Sequence, residues 1–160
     1  MRMRIQTVFN PKYLCCAGVL ACLLFSSGVC AQDYWIVVNQ SNPLNKLSVM
    51  EARSIFLGVR RVFDSGYEIE VVDQPIESAV YAGFYERVAG KTVAQIRAKR
   101  AYLTFAGDAL PPEAVMDDQA VITWIEQHQY GIGYVRGDLA GTMINRVKVV
   151  CRVSDKSTAK

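Results

Sequence analysis

An apolar run of about 16 residues, Leu14 to Val29, constrains this chain more than any other feature. Basic residues and no acidic residue precede it: Arg2, Arg4 and Lys12. The run is shorter than the roughly 20 residues that a membrane-spanning helix needs, and small residues at Val29 to Ala31 are typical of a cleavage site. Residues 1–31 therefore predict a secretory signal peptide, with Gln32 as the first mature residue; an uncleaved membrane anchor is the alternative.

Removal of this leader leaves a chain that has to fold without internal disulfides. Of the five cysteines, all but Cys151 fall within the leader. A single cysteine forms no internal disulfide, so we expect the hydrophobic core to hold the fold together. Lipidation of Cys22 is a second alternative, but the apolar Leu23 to Phe25 follow it, where a lipoprotein has a polar tether.

The mature chain is electrically neutral. The 18 Lys and Arg of the whole sequence fall to 15 without the leader, which equals the 15 Asp and Glu. A nucleic-acid-binding protein needs a basic surface to engage phosphates, so this balance argues against nucleic acid as a partner. The remaining length of about 129 residues suffices for one domain. We expect that domain to span residues 32–153, followed by a flexible polar tail, 154–160.

Alternating strand and helix patterns predict an α/β fold, with a mixed β-sheet covered by about four helices. Strands are predicted where β-branched and aromatic residues lie between turn residues: Tyr34–Val38, Tyr67–Val72, Tyr130–Val135 and Arg146–Val153. Helices are predicted after capping residues: from Ser48 to about Gly58, over Glu77–Ala89, from Thr92 to about Phe105, and from Asp117 or Asp118 to about His128. A loop is expected at Ala106–Glu113. Alternation in the last strand predicts one inward face, made of Val147, Val149, Cys151 and Val153.

Catalytic chemistry has little support in the sequence. His128 is the only histidine, and no nucleophile elbow, P-loop or dinucleotide fingerprint occurs. Without a second histidine or a thiol pair, a transition-metal site is disfavoured. The acidic residues Glu113, Asp117 and Asp118 lack the spacing of a calcium loop, which favours helix capping. We therefore predict a protein that is not an enzyme and that has no cofactor or metal.

Anion binding is the chemistry that the residues favour. Ser78 lies at the start of a helix that directly follows a strand, where free backbone N–H groups and the positive end of the helix dipole attract anions. Gln74 precedes it, and Arg60 and Arg61 add positive charge from a loop. The alternative is that Ser78 and Glu77 only cap the helix and that the loop arginines are solvated. A solvated helix face is the interpretation for a second basic group: Arg97, Lys99 and Arg100.

Several motifs occur in a recognisable order: Val37–Pro43, Ile55–Gly58, Asp64-x-Gly66, Ile69–Pro75, Phe84-Tyr85 and Gly131–Val135. In this order they resemble one lobe of the phosphate ABC transporter substrate-binding family, and more closely the short, single-lobe periplasmic proteins grouped beside it. The resemblance implies a single periplasmic-binding-protein-like lobe, a periplasmic location, and phosphate or another small anion as ligand. The binding residues that it implies are Ser78, Gln74, Asn39, Ser41, Arg60 and Arg61.

The junction from Asp73 to Val80 departs from the Arg-x-Asp-x-Ser-Gly-Thr element of that family. Ser78 matches the serine, but the arginine is missing, and Ala79 and Val80 replace Gly-Thr. A charge-assisted bidentate clamp and a hydroxyl donor are thereby lost. The family's cleft also lies between two lobes. The resemblance therefore implies weak phosphate binding, or a homodimer that recreates a cleft.

Two functions are compatible with these patterns. The first is a periplasmic, non-catalytic solute-binding-like protein that binds an anion weakly as an accessory to transport or sensing. The alternative is a protein-interaction module that has lost solute binding. Either would work with a membrane receptor, a sensor kinase or an ABC transporter. An exposed apolar patch on the face that normally meets the second lobe would favour the alternative. Small polar residues and free N–H groups on that face would favour the first.

Overall fold

The computed structural model of the protein describes residues 32–108, 110–138 and 145–154. The predicted signal peptide and residues 155–160 of the predicted tail lie outside the described residues. The strands are β1 (Tyr34–Asn39), β2 (Glu70–Asp73), β3 (Glu113–Ala114), β4 (Gly131–Arg136) and β5 (Val147–Val153). The helices are α1 (Val49–Phe56), α2 (Ala79–Ala89), α3 (Val93–Phe105) and α4 (Asp118–Gln127). In these ranges no helix has the length and apolar character that crossing a bilayer requires.

The strands form one mixed sheet in the order β3-β2-β4-β1-β5, which confirms the predicted α/β fold. β2 runs parallel to β3 and β4, whereas β1 runs antiparallel to β4 and β5. The carboxyl ends of β2, β3 and β4 therefore lie at one edge of the sheet, and α2 and α4 begin just beyond it. We call this edge the strand-end edge. Tyr34 of β1 pairs with Arg136, so Asn39, at the other end of β1, lies at the opposite edge.

Local capping chemistry sets the helix ends largely as predicted. Ser48 and Thr92 each begin a helix with a complete capping box. Gly90 ends α2 in the left-handed conformation, at a φ of 61° that favours glycine. Asp117 is the N-cap of α4. Ser78 is the N-cap of α2, so this helix begins at Ala79, two residues later than the predicted start at Glu77.

The helices cover both faces of the sheet. Side chains of β1 alternate between the faces, since Ile36 belongs to the cluster under α1, α2 and α3, and Val37 to the cluster under α4. In the first cluster the Phe84 ring stacks on Tyr134 with centroids 3.6 Å apart. In the second, Gly133 lets α4 come close, because a Cβ there would lie 2.8 Å from Val121 Cγ1. Burial on both faces is the main source of stability.

The two outer strands of the sheet, β3 and β5, differ in how much backbone they leave open. β3 consists of two residues and follows Pro111 and Pro112. In the other outer strand, β5, the Val150 carbonyl accepts a hydrogen bond from the Leu47 N–H at 2.9 Å.

Three further predictions of secondary structure were wrong in detail. β2 begins at Glu70, not Tyr67, and only an isolated bridge joins Glu68 to Val62. β3 falls at the end of the segment predicted as a loop. A register shift between Ile36 and Val37 interrupts the alternation of β5, so Val150 is buried and Val149 only half-buried. Cys151 is buried as predicted.

Candidate functional site

The strand-end edge brings together groups from four elements. Gln74 directly follows β2, and Ser78 begins α2. Asp118 is the first residue of α4, and Arg136 is the last residue of β4. The N-termini of α2 and α4, which carry positive partial charge, thus lie beyond the carboxyl ends of the neighbouring parallel strands β2 and β3. In open α/β sheets, this is the position in which ligands commonly bind.

Ser78 is half-buried and is held in the geometry of a helix cap. Its backbone is extended, with φ −75° and ψ 144°, and its Oγ accepts a hydrogen bond from the Tyr81 N–H at 3.0 Å. Its own N–H donates to the Pro75 carbonyl at 2.8 Å. The first N–H groups of an α-helix have no acceptor within the helix, so those of Ala79 and Val80 are available to an anion. The Ser78 hydroxyl hydrogen can be donated as well, since the cap uses only the oxygen lone pair.

Gln74, Asp118 and Arg136 form a hydrogen-bonded group at the same edge. The Gln74 side-chain amide donates to Asp118 Oδ1 at 2.7 Å. Arg136 donates to Asp118 Oδ2 from Nε at 2.7 Å and to Oδ1 from its backbone N–H at 3.3 Å. These bonds to the Asp118 carboxylate raise the pKa of the Arg136 guanidinium. Asp118 was expected only as a helix-capping acid, and its non-local partners are not visible in the sequence.

A second hydrogen-bonded group, which we call the Asp73 cluster, lies under α2 and α3. Asp73 is 1% exposed. Tyr134 donates to its Oδ1 at 2.6 Å, Tyr85 donates to its Oδ2 at 2.8 Å, and Arg100 donates to the same Oδ2. The Arg100 side chain is 20% exposed. The prediction of a solvated helix face is therefore wrong for Arg100, because its partner is distant in the sequence.

Burial shifts the pKa of the groups in the Asp73 cluster. Burial first, and then the Asp73 carboxylate, hold the pKa of Tyr85 and Tyr134 well above its usual value. Burial alone would lower the pKa of Arg100, but Tyr85 and Asp73 together raise it. Both phenols therefore remain donors, and Arg100 remains a cation, at neutral pH. The cluster fastens α3 to the sheet and has no free charge to offer a ligand.

The predicted binding residues Asn39 and Ser41 lie at the opposite edge of the sheet from Ser78. Asn39 donates from its side chain to the carbonyls of Ile125 and Glu126 at 2.8 and 3.0 Å. Its Oδ1 accepts from the Ser41 N–H and hydroxyl at 2.9 and 2.8 Å. These bonds shape the turn after β1 and fix it to the end of α4. The structure therefore does not bring these two residues to the helix start.

Arg60 and Arg61 line a cavity of about 640 Å³, together with Glu68, which precedes β2, and Glu70, its first residue. Arg60 forms ion pairs with Asp64 at 2.8 Å and with Glu51 at 3.5 Å. Carboxylates thus share the cavity wall with the arginines and reduce its attraction for an anion. The structure places the two arginines in this cavity and away from the strand-end edge.

Large apolar side chains are exposed near the same cavity. In α3, Tyr102 is 69% and Phe105 91% exposed, and Leu110 in the following loop is 88% exposed. Leu110 itself lines the cavity, together with Leu103, Pro111 and Pro112. We call Tyr102, Phe105 and Leu110 the apolar rim. A surface of this kind is typical of sites that meet another molecule.

His128 packs against α4 and also lines the cavity that contains Arg60 and Arg61. Its ring stacks on Trp124 with centroids 3.7 Å apart, and Nδ1 lies 2.7 Å from the Trp124 carbonyl oxygen. It occupies the C-cap of α4, where the sequence predicted that helix to end. Within the described ranges, no three His, Cys, Asp or Glu residues are grouped so that they could hold a metal ion.

Protein-family models and curated protein sequences give no match to this chain. Solved structures match its fold. The chain is similar to an ABC-type phosphate transport receptor from Vibrio cholerae, with a TM-score of 0.57 and 20% identity over 75% of this chain and 46% of that one. It is also similar to PstS from Borrelia burgdorferi, with a TM-score of 0.60 and 15% identity over 75% and 47%.

These likenesses confirm the predicted fold: an α/β lobe like that of phosphate ABC transporter substrate-binding proteins. At 15–20% identity they bear on the fold alone. The chain spans less than half the length of either protein.

Proposed function

We propose that this chain is a periplasmic, non-catalytic binding protein that takes phosphate or another small oxyanion weakly at the start of α2. The observation that carries the proposal is the position of Ser78. It is the N-cap of a helix that begins at the strand-end edge, in a fold shared with a phosphate transport receptor. The helix dipole, the N–H groups of Ala79 and Val80 and the Ser78 hydroxyl are the groups that an oxyanion would contact.

Weak binding is expected from the composition of this helix start. No arginine lies between Asp73 and Val80, and a charge-assisted bidentate pair is what gives an oxyanion site its strength. Glu77 is exposed beside Ser78 and repels an anion. Two or three neutral N–H and O–H donors in contact with water support millimolar to high-micromolar affinity.

The proposed location and partners rest on the leader and on the fold. The pattern of residues 1–31 predicts export, and one protein of similar fold is an ABC-type phosphate transport receptor. A membrane receptor, a sensor kinase or an ABC transporter is therefore the partner we propose. A homodimer would place a second copy over the open strand-end edge and increase the affinity. Sedimentation with and without phosphate tests that arrangement.

Isothermal titration of phosphate into the mature chain, Gln32 to Lys160, tests the proposed site. The protein is unfolded and refolded beforehand so that any carried-over ligand is removed. In Ser78→Asp the cap is retained, since aspartate is a good N-cap, while a negative charge occupies the proposed site. Thr92→Asp makes the same change at the N-cap of α3 and is the matched control. We expect saturable heat that Ser78→Asp abolishes and Thr92→Asp preserves; no heat from the folded protein would refute phosphate binding.

The apolar rim favours a protein-interaction module as the second function. Phe105 and Leu110 are almost fully exposed beside a cavity that is large enough for a side chain of a partner. A photoreactive amino acid at position 105, with position 46 as an exposed polar control, tests this function in the exporting cell. Crosslinks to a membrane protein from position 105 alone would support it. Equal crosslinking from both positions would not.

A further inference from the structure

Asp118 is a buried carboxylate at the edge where the proposed oxyanion site lies. It is 4% exposed and begins α4, so that the positive end of the helix dipole acts on it. Gln74, one of the residues predicted to bind the anion, donates a hydrogen bond from its side-chain amide to this carboxylate. If this carboxylate were absent, the donors around Asp118 would need another acceptor.

The surroundings of Asp118 have the composition of an oxyanion site. A side-chain amide, a guanidinium and a backbone N–H converge on its two oxygens, at 2.7, 2.7 and 3.3 Å. A cation, directional N–H donors and a helix N-terminus are what proteins use to hold phosphate or carboxylate. The Arg136 side chain is 36% exposed, so solvent reaches it from outside. The start of α2 lacks an arginine, but Arg136 of β4 provides one at the same strand-end edge, where it is paired with Asp118.

A tethered carboxylate competes strongly with a free anion. Its effective concentration at its own partners is of the order of millimolar or higher, and it loses little entropy on binding. Free phosphate at micromolar concentration would have to displace it and would leave a buried charge unpaired, which is costly. Gln74 and Arg136 are therefore withheld from a ligand as long as the Asp118 carboxylate is in place.

We propose that Asp118 is a built-in occupant of a second, stronger oxyanion site, formed by Gln74 and Arg136, and that it keeps the affinity of this lobe for free phosphate low. This inference rests on the proposed function, because it concerns anion binding at the same strand-end edge. In this proposal Arg136 is able to bind an oxyanion, and Asp118 prevents it from doing so.

Titration of phosphate into single and double variants of the mature chain tests the inference. Asp118→Asn keeps the shape of the side chain and removes its charge, and Asp118→Ser opens the site further. We expect phosphate affinity to rise about tenfold or more in these variants, because a charge-assisted pair becomes available. Asp117→Asn is the matched control: it removes a neighbouring charge and keeps the α4 cap, but leaves Asp118 paired. Adding Arg136→Gln to Asp118→Asn should remove the gain.

The outcomes separate this inference from the proposed function. If those variants at position 118 that are folded by circular dichroism bind phosphate no better than Asp117→Asn, the inference is overturned. The Ser78 site is then judged by the wild-type titration alone. A gain in Asp118→Asn that Arg136→Gln abolishes, in a chain whose wild type gives no heat, supports the occupied site and refutes binding at Ser78. Should Asp118→Ser fail to fold, Asp118→Asn decides, and its thermal stabilisation by phosphate gives a second readout.

Discussion

The Tyr134 hydroxyl donates a hydrogen bond to Asp73 Oδ1 at 2.6 Å, which joins the middle of β4 to the end of β2 within the core. Arg100 reaches the other oxygen of the same carboxylate from α3. Of the residues of α3, only Ile96 is buried. The attachment of α3 therefore depends on few apolar contacts, those of Ile96 and the partly buried Val93, and on Arg100, which pairs with Asp73 and lies over the Tyr85 ring.

Replacement of Arg100 by methionine is expected to lower the free energy of unfolding by about 3–5 kcal/mol, because it leaves the buried Asp73 carboxylate without a cation. Arg97→Met makes the same change at an exposed position of the same helix and is expected to change it by less than about 0.5 kcal/mol. Urea unfolding followed by circular dichroism measures both. Equal effects would show that Asp73 does not depend on Arg100.

Two tyrosines on α2 allow a matched comparison of buried hydroxyl groups. Tyr85 donates to Asp73 at 2.8 Å, whereas the Tyr81 hydroxyl is buried without a hydrogen-bond partner among the described residues. Tyr85→Phe should therefore lower the free energy of unfolding by about 1–3 kcal/mol, and Tyr81→Phe should leave it unchanged or raise it. A similar loss in both would indicate that an ordered water serves Tyr81.

The buried phenols predict a loss of stability at high pH. Burial raises the pKa of Tyr81 to about 12 from the ordinary 10.0, and it holds the pKa of Tyr85 and Tyr134 above that ordinary value as well. A pKa that is higher in the folded state contributes stability that is complete below the unfolded pKa and falls as the pH rises above it. The free energy of unfolding should therefore decline above about pH 10.

Urea unfolding between about pH 8 and 11 measures this decline. The slope should be shallower in Tyr81→Phe, which removes one raised pKa at little cost in contacts. Tyr102→Phe, at a position that is 69% exposed, serves as the control and should keep the wild-type slope. A slope that is unchanged in Tyr81→Phe would contradict this assignment.

Gly133 in β4 is expected to tolerate no side chain. A Cβ at this position would lie 2.7 Å from Val72 Cγ1 and 2.8 Å from Val121 Cγ1, so Gly133→Ala should cost about 1–3 kcal/mol of unfolding free energy. Adding Val121→Ala removes one of the clashing methyl groups and should recover part of that loss. Strictly additive effects of the two substitutions would show that the clash is relieved in another way.

Local patterns predicted the helices well, because their signals lie within a few residues of one another. The pairs of Ser48 with Glu51 and Thr92 with Gln95 form the capping boxes that their spacing indicated. Gly90 ends α2 for an equally local reason, since it has a positive φ that favours glycine.

Non-local contacts account for what the sequence did not predict. The direction of β1 is set by pairing with β4 about a hundred residues away in the chain, and it separates Asn39 from Ser78. The partners of Arg100 and Asp118 depend on the same distant packing. Both were interpreted from their neighbours in sequence, which carry no trace of these contacts.

The two outer strands of the sheet, β3 and β5, bear on how this lobe behaves at high concentration. An open row of N–H and C=O groups is what allows one sheet to recruit another into a fibril. Here one outer strand is too short to act as a template, and the backbone of Leu47 occupies part of the other. Both features reduce the backbone that is open to edge-to-edge pairing, which is the contact through which such aggregates grow.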